Sequence, residues 1–287
     1  MDINKFKVTG KDPAVLSEEA FADFCVSVPA KELRKVTKKN TEKISGLQDR
    51  LYAEGKVGVL IIFQAMDAAG KDGAIKHVMS GVNPQGVDVR SFKQPSSEEL
   101  SHDYLWRAVK VLPSRGKIAI FNRSYYEDVL VVKVHKLYEQ QNLPDRCKTE
   151  DTMEKRYKQI RDFEDYLWEN GIVTVKFFLH LSKDEQRRRF LKRIDRKDKN
   201  WKFSQADLKE RAFWDAYQDA YQTAISETST ERNPWYIVPA DKKPFTRAII
   251  SEVLLNVMNT IDPRYPEVSE QQEEDLLECK QRLTDEE

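Results

Sequence analysis

Lys71 follows Gly70 at the end of a small-residue loop, Gln64-Ala65-Met66-Asp67-Ala68-Ala69-Gly70-Lys71-Asp72-Gly73, which joins an apolar run to a helical pattern. A loop in that context can cradle phosphate. Backbone N–H groups at the turn and the helix start surround the anion, and the lysine sets a point charge on its outer oxygens. Ala68, Ala69, Gly70, Asp72 and Gly73 are the expected cradle, with Lys71 as the catalytic charge. The match to Gly-x-x-x-x-Gly-Lys-Ser/Thr is imperfect, because Ala65 stands at the first glycine and Asp72 at the hydroxyl residue that would meet Mg²⁺. An ordinary strand-to-helix turn with a solvated lysine is the competing reading. Asp67 repels a phosphate beside it unless a cation lies between them, which gives this carboxylate a metal role.

A second group of polar residues, Phe121-Asn122-Arg123-Ser124-Tyr125-Tyr126-Glu127-Asp128, follows another apolar run. Arg123 could hold a phosphate, and Glu127 or Asp128 could bind metal or orient a nucleophile. Acidic residues in the first turn of a helix would explain the two carboxylates equally well. Asn122 stands where a strand-end aspartate is usual. Lys93, after a short strand, and Arg107 are placed to receive an anionic substrate, while His102 is read as a helix-surface residue.

The third group is a basic stretch. Lys183 to Lys202 holds ten Lys or Arg against four Asp or Glu, a concentration that draws polyanions unless it is merely a solvated helix face. Arg189 and Arg193, four apart, share one helical face. Arginines on a mobile lid neutralise charge on a transferred phosphoryl group. Lys202 belongs to the same anion-binding set.

These groups need a scaffold that brings strand ends together. Residues 57–64, 118–121 and 173–179 are apolar on both parities, as strands buried on both faces are, and shorter candidates lie at 87–89 and 236–238. Helical patterns at 98–111, 124–138, 151–169, 183–195, 205–228 and 244–260 separate them. The alternation predicts βαβ crossovers and a doubly wound α/β sheet. Residues 14–55 read as a helical hairpin, with Phe21, Phe24 and Val28 on its first arm and Leu33 to Leu51 on its second. One domain over 1–266 is expected, with a lid at about 183–215. The acidic tail, 267–287, reads as a peripheral helix or as disordered.

Composition narrows the classes further. The chain has 287 residues, 40% hydrophobic and 33% charged, enough for a core and too charged for a membrane protein. Its zero net charge hides a division: from Glu267 onward there are nine acidic and two basic residues, so the preceding body is positive by seven. No apolar run approaches the roughly 18 residues that span a bilayer, and the first residues show no secretion signal. Cys25, Cys147 and Cys279 are too scattered for a disulfide framework or zinc site. A cytoplasmic location is expected.

Taken together, Met66 to Gly73, the segment Met79-Ser80-Gly81-Val82-Asn83-Pro84-Gln85-Gly86-Val87, His102 to Arg107, Phe121 to Asp128 and the 182–215 stretch resemble polyphosphate kinase family 2 over about residues 15–262. The resemblance implies a P-loop kinase fold related to thymidylate kinase, and phosphate transfer between inorganic polyphosphate and nucleotides with Mg²⁺, Mn²⁺ being an alternative ion. By position it makes Asp67, Lys71, Arg123, Asp128, Arg189 and Arg193 the catalytic set, with Asp67 and Asp128 the metal ligands. The wording of the first two blocks is similar to the class III branch, which accepts AMP and ADP. Asn122 departs from the aspartate of other branches, which weakens metal binding at that position and accompanies the broader acceptor range. Adenine nucleotides, with guanine nucleotides as further acceptors, and a homo-oligomer are expected, without nucleic acid or membrane. Two other readings stay open: an ATP-dependent nucleotide kinase of this fold, and a nucleic-acid-binding P-loop protein whose basic stretch tracks a backbone. Against the latter, Trp201 is the lone aromatic suited to base stacking in that stretch.

Overall fold

All seven residues of Gly58–Gln64 are buried, so the strand that feeds the phosphate loop lies at the centre of the molecule. The computed structural model describes residues 2–16 and 28–286, apart from the Lys202 side chain. In chain order it contains β1 (Lys7–Val8), α1 (Ala30–Glu54), β2 (Gly58–Gln64), α2 (Lys71–Val78), β3 (Val87–Ser91), α3 (Ser97–Leu100), α4 (Trp106–Val109) and β4 (Ile118–Asn122). There follow α5 (Val131–Val134), α6 (Thr152–Glu169), β5 (Ile172–His180), α7 (Lys183–Asp195), α8 (Gln205–Ala212), α9 (Trp214–Thr228), β6 (Trp235–Pro239), α10 (Lys243–Ile261) and α11 (Glu270–Thr284), with short 3₁₀ turns between.

The strands form one sheet in the order β1-β6-β5-β2-β4-β3. Five are parallel, and the two residues of β1 pair antiparallel with β6 at the edge. Ile61 sits opposite Ile120 on one side and Val175 on the other. Because side chains alternate across a strand, Val59, Ile61 and Phe63 join a core with Leu51, Ile249 and Leu254 of α1 and α10. Leu60 and Ile62 join the opposite core with Tyr125, Tyr126, Ile160 and Tyr221. This two-sided burial is why the strands read as continuous apolar runs, and it gives the expected α/β class with helices on both faces.

Several helices differ from the sequence expectation. The 98–111 pattern is two single turns, α3 and α4. A capping box at Ser96 and Glu99 starts the first, and Asp103 accepts from the Leu105 N–H between them. The 124–138 pattern is a 3₁₀ turn at Tyr125–Val129, then α5, then a residue with positive φ, Lys136 at 51°. Adjacent Tyr125 and Tyr126 both enter the core, which a regular helix of 3.6 residues per turn does not favour. The 205–228 pattern breaks at Phe213 into α8 and α9. Of the N-terminal hairpin, the second arm is α1; of the first, Phe21 and Phe24 lie outside the described residues, and the described ends, residues 14–16 and the exposed Val28, are not helical. The acidic tail forms α11, capped by Ser269 and Gln272, with none of its residues buried. Among the described residues no helix is long and apolar enough to cross a membrane.

Leu60→Ala should therefore destabilise the chain by about 2–5 kcal/mol, the cost of a central cavity. Leu283→Ala, on exposed α11, should stay within about 0.5 kcal/mol. Urea unfolding of the two variants measures both.

Candidate active site

Successive crossovers leave β2 on opposite sides, toward β4 and β3 in one direction and toward β5 and β6 in the other. The carboxyl edge at such a reversal is where open α/β sheets bind ligands. The segments that follow β2, β3, β4, β5 and β6 all contribute to one cavity of about 1010 Å³ there. Its wall includes Asp67 to Ala74, Lys93, Asn122, Arg123, Arg189, Arg193 and Lys243.

The loop after β2 is held from behind by α7. Gln186 Nε2 donates to the Asp67 carbonyl at 3.0 Å, and Arg189 Nη1 donates to the carbonyls of Ala68 and Ala69 at 2.9 and 2.8 Å. Three consecutive carbonyl oxygens thus point at α7. In trans peptides the N–H points opposite to the carbonyl, so the N–H groups of Ala68 and Gly70 are directed away from that helix. Ala68 at φ 65° and Gly70 at φ 102° supply the left-handed backbone this path needs. The conformation is easy for glycine and uncommon for alanine. Lys71 opens α2, and its ammonium donates back to the Ala65 carbonyl at 2.9 Å. Burial lowers the Lys71 ammonium to about 8, and the Arg123 cation acts in the same direction against Asp67, Glu127 and Asp72.

Arg189 does not stand as a free phosphate-binding arginine. It is buried. Besides Nη1, its Nη2 donates to the carbonyls of Ala240 and Asp241 at 2.7 and 3.0 Å, and its Nε donates to Glu185 Oε1 at 2.7 Å. Every guanidinium nitrogen is engaged, which makes Arg189 a residue that positions the phosphate loop. Arg193, one turn on, is half-buried over the Phe190 ring and faces the cavity. Same-face spacing was visible in the sequence; the different roles follow from what lies opposite each side chain.

Arg123 and Asn122 tie the second polar group to the loop. Arg123 Nη2 donates to Asp67 Oδ1 at 2.9 Å, and Asn122 Nδ2 donates to Asp72 Oδ1 at 2.9 Å. Arg123 itself has φ 63°. Burial works against its charge but is outweighed by Glu127 and Asp67, which hold the guanidinium above its ordinary value.

Asp128 and Arg107 lie apart from this cavity. Asp128 is buried against Arg156, whose Nη1 is 3.5 Å from Oδ1 and donates to the Asp128 carbonyl at 3.0 Å. Burial pushes its carboxyl up to about 6, opposed by Arg156 and Arg107. Asp128, expected with Asp67 as a metal ligand, is not among the residues that line the cavity with Asp67: the turn at 125–129 sends its side chain to Arg156 of α6. Arg107 is also buried, over the Phe92 ring, and donates to the Lys93 carbonyl at 3.0 Å. It supports the segment carrying Lys93. Glu127 acts on the Lys71 and Arg123 charges through space. The Lys202 side chain lies outside the described residues.

The sequence reading missed Lys243, Thr246 and Arg247 at the start of α10, and did not single out Lys192, Arg196, Lys199 or Asp207 for the cavity they help to line. A Lys-Arg pair four apart just past a short strand was the available signal at 243 and 247. Burial lowers the Lys243 ammonium, and the surrounding Arg189, Lys199, Arg247 and Lys192 cations lower it further. Cations crowded to this degree favour a ligand carrying several negative charges. Burial also raises the Asp207 carboxyl, with Asp67 adding to the shift, so α8 reaches the same space as the loop. Among the described residues no three His, Cys, Asp or Glu side chains cluster as a metal cage.

Known proteins resemble this chain in sequence and in fold. The family model described as polyphosphate kinase 2 matches residues 28–266. An ADP-polyphosphate phosphotransferase from Rhodopseudomonas palustris is 54% identical over 244 residues, 84% of each chain. An AMP/ADP-polyphosphate phosphotransferase from Meiothermus ruber is 47% identical over 236 residues, covering 82% of this chain and 85% of that one. The crystal structure of polyphosphate kinase 2 from Arthrobacter aurescens superposes with a TM-score of 0.80 at 39% identity, covering 88% of this chain and 87% of that one.

Two outcomes follow from the geometry. Because kcat/KM reports the free enzyme, and the charged form of Lys71 is the one that attracts phosphate, kcat/KM should fall as pH rises through about 8. Lys71→Arg should remove that alkaline limb up to at least about pH 10, since arginine keeps its proton; a pH profile of both proteins tests this. Arg189→Ala should destabilise by at least about 2 kcal/mol by leaving loop carbonyls unpaired, and Lys should restore little. Arg193→Ala should leave stability within about 0.5 kcal/mol, as read by denaturant unfolding.

Proposed function

The chain belongs to the polyphosphate kinase 2 family, and from that premise we propose that it transfers the terminal phosphate of inorganic polyphosphate to AMP and to ADP, reversibly. The observation that carries this reading is the joining of an organised phosphate loop to a cationic cavity extending from Lys71 past Arg193 to Lys243 and Arg247. A single mononucleotide needs fewer countercharges than this cavity offers; a long polyanion uses them all.

An acceptor phosphate oxygen attacks the terminal phosphorus in line, and the bond to the next polyphosphate unit breaks, leaving a chain shorter by one. No covalent intermediate with the protein is required, so catalysis rests on positioning and charge. The N–H groups at Ala68 and Gly70 and at the start of α2 hold the phosphate oxygens. Lys71 and Arg193 counter the charge that spreads over the transferred group. Arg123 reaches the same space and holds Asp67. Asp67 and Asp72 suit Mg²⁺, which takes one or two carboxylates together with substrate oxygens and water. When bound, the ion neutralises negative charge on the phosphates. Asn122, through its bond to Asp72, orients a carboxylate instead of supplying one.

With polyphosphate and Mg²⁺ but no ATP, the chain should convert ADP to ATP and AMP to ADP and onward, as followed by nucleotide chromatography. Transfer from ATP alone would replace this reading with an ATP-dependent kinase. In the same assay Lys71→Ala should lower kcat/KM at least about 10²-fold. Asp67→Asn should raise the Mg²⁺ concentration at half-maximal rate, because a neutral amide is the weaker ligand for a hard cation.

A further inference from the structure

Lys176 is a charged residue in the middle of β5, fully buried, and it takes no part in the cavity. Its ammonium makes three bonds: to Glu164 Oε2 of α6 at 2.5 Å, to the Thr228 carbonyl at 2.8 Å and to the Tyr126 hydroxyl at 3.2 Å. Glu164, equally buried, accepts at Oε1 from the hydroxyls of Tyr125 and Tyr126 at 2.9 and 2.8 Å. The Thr228 hydroxyl oxygen, 3.0 Å from the Tyr126 hydroxyl, also accepts from Trp235 Nε1 at 2.9 Å. A buried ion pair is weak grounds for stability alone, since apolar replacements often match it. It does fix where its partners lie.

Two of those partners, Tyr125 and Tyr126, open the turn that follows Arg123. Arg123 occupies left-handed backbone at φ 63°, a conformation that a non-glycine residue keeps only where its surroundings over-determine it. Upstream, the Arg123 N–H donates to the Phe63 carbonyl of β2 at 3.0 Å. Downstream, Ser124 Oγ accepts from the Tyr126 N–H at 3.2 Å, and the two tyrosines are pulled down onto Glu164. Bolted at both ends in this way, the residue between them is directed toward Asp67.

We propose that Glu164 and Lys176 are positioning residues for the phosphoryl transfer: through the Tyr125 and Tyr126 hydroxyls they hold Arg123 in the left-handed conformation from which its guanidinium reaches Asp67 and the cavity. The proposal rests on the function given above, and it assigns a role to groups that touch no substrate. It also explains why a charged pair occupies a core position that aliphatic residues could fill.

Glu164→Gln leaves a buried ammonium without its countercharge and costs the fold, so the test removes only the two hydroxyls, as Tyr125→Phe with Tyr126→Phe. The pair is made in the parent and in Arg123→Lys. Ser251→Ala, which breaks the buried bond to Asn40 in the opposite core, controls for lost stability. In the parent the tyrosine pair should lower kcat about tenfold with little change in KM for polyphosphate. In Arg123→Lys the same pair should cost no more than about twofold, because its target is already gone. Ser251→Ala should leave kcat unchanged. Hydrogen exchange gives a readout that needs no turnover: the Arg123 amide should exchange at least about tenfold faster in the tyrosine pair and not in the control. Equal effects of the pair in both backgrounds, or an unchanged Arg123 amide, would overturn the proposal. An inactive parent whose Arg123 amide responds as stated would instead count against the polyphosphate reading.

Discussion

The guanidinium of Arg189 is the joint on which the site depends. It binds the carbonyls of Ala68 and Ala69 from the loop after β2, those of Ala240 and Asp241 after β6, and the carboxylate of Glu185 on its own helix. Three chain segments that meet nowhere else in sequence are fixed by one planar group whose five N–H donors have set directions. With the loop carbonyls turned to α7, the opposite face of the peptides presents N–H groups, and the loop becomes an anion receptor. A lysine at 189, with a single ammonium, could not reproduce this fork.

The same arrangement explains the electrostatics of the cavity. Lys71, Arg193, Lys192, Lys199, Lys243 and Arg247 are brought near one another with Asp67, Asp72 and Asp207 as the facing carboxylates. The proton affinities of Lys71 and Lys243 are lowered by burial and by their cationic neighbours. A polyanion relieves that repulsion, so substrate binding and site assembly reinforce each other. Charge crowding held open by a rigid sheet is also a form of preorganisation, because the donors need no rearrangement when negative charge develops during transfer.

Much of this was legible in the residues. The buried parallel strands announced themselves as apolar runs, and the phosphate loop and Arg123 stood out in the local pattern because each follows a strand end directly, while Arg193 stood out in the basic stretch after β5. What the pattern could not carry was the identity of distant partners. Asp128 looked like a metal ligand beside Arg123, yet its side chain is buried against Arg156 of a separate helix. Arg189 and Arg193 have equivalent spacing, and only the carbonyls opposite Arg189 distinguish them. Lys243 and Arg247 escaped notice because their relevance depends on β6 lying beside β5, a pairing set by the whole sheet. The uniform helical reading of 124–138 failed for a related reason: bonds to Glu164, 39 and 38 residues further along the chain, and not local propensity, draw Tyr125 and Tyr126 inward.

Residues that shape the site and residues that touch the polyanion differ in their salt dependence. Each cation that contacts the polyanion releases condensed counterions and steepens the fall of log K with log salt. Calorimetric titration of inorganic polyphosphate into the parent, Arg189→Ala and Arg193→Ala over a range of salt concentrations measures this slope. Arg189→Ala should weaken binding yet keep the parent slope, while Arg193→Ala should flatten it by about one. A slope that flattens equally for Arg189→Ala would place its guanidinium on the phosphates and contradict the loop-holding role.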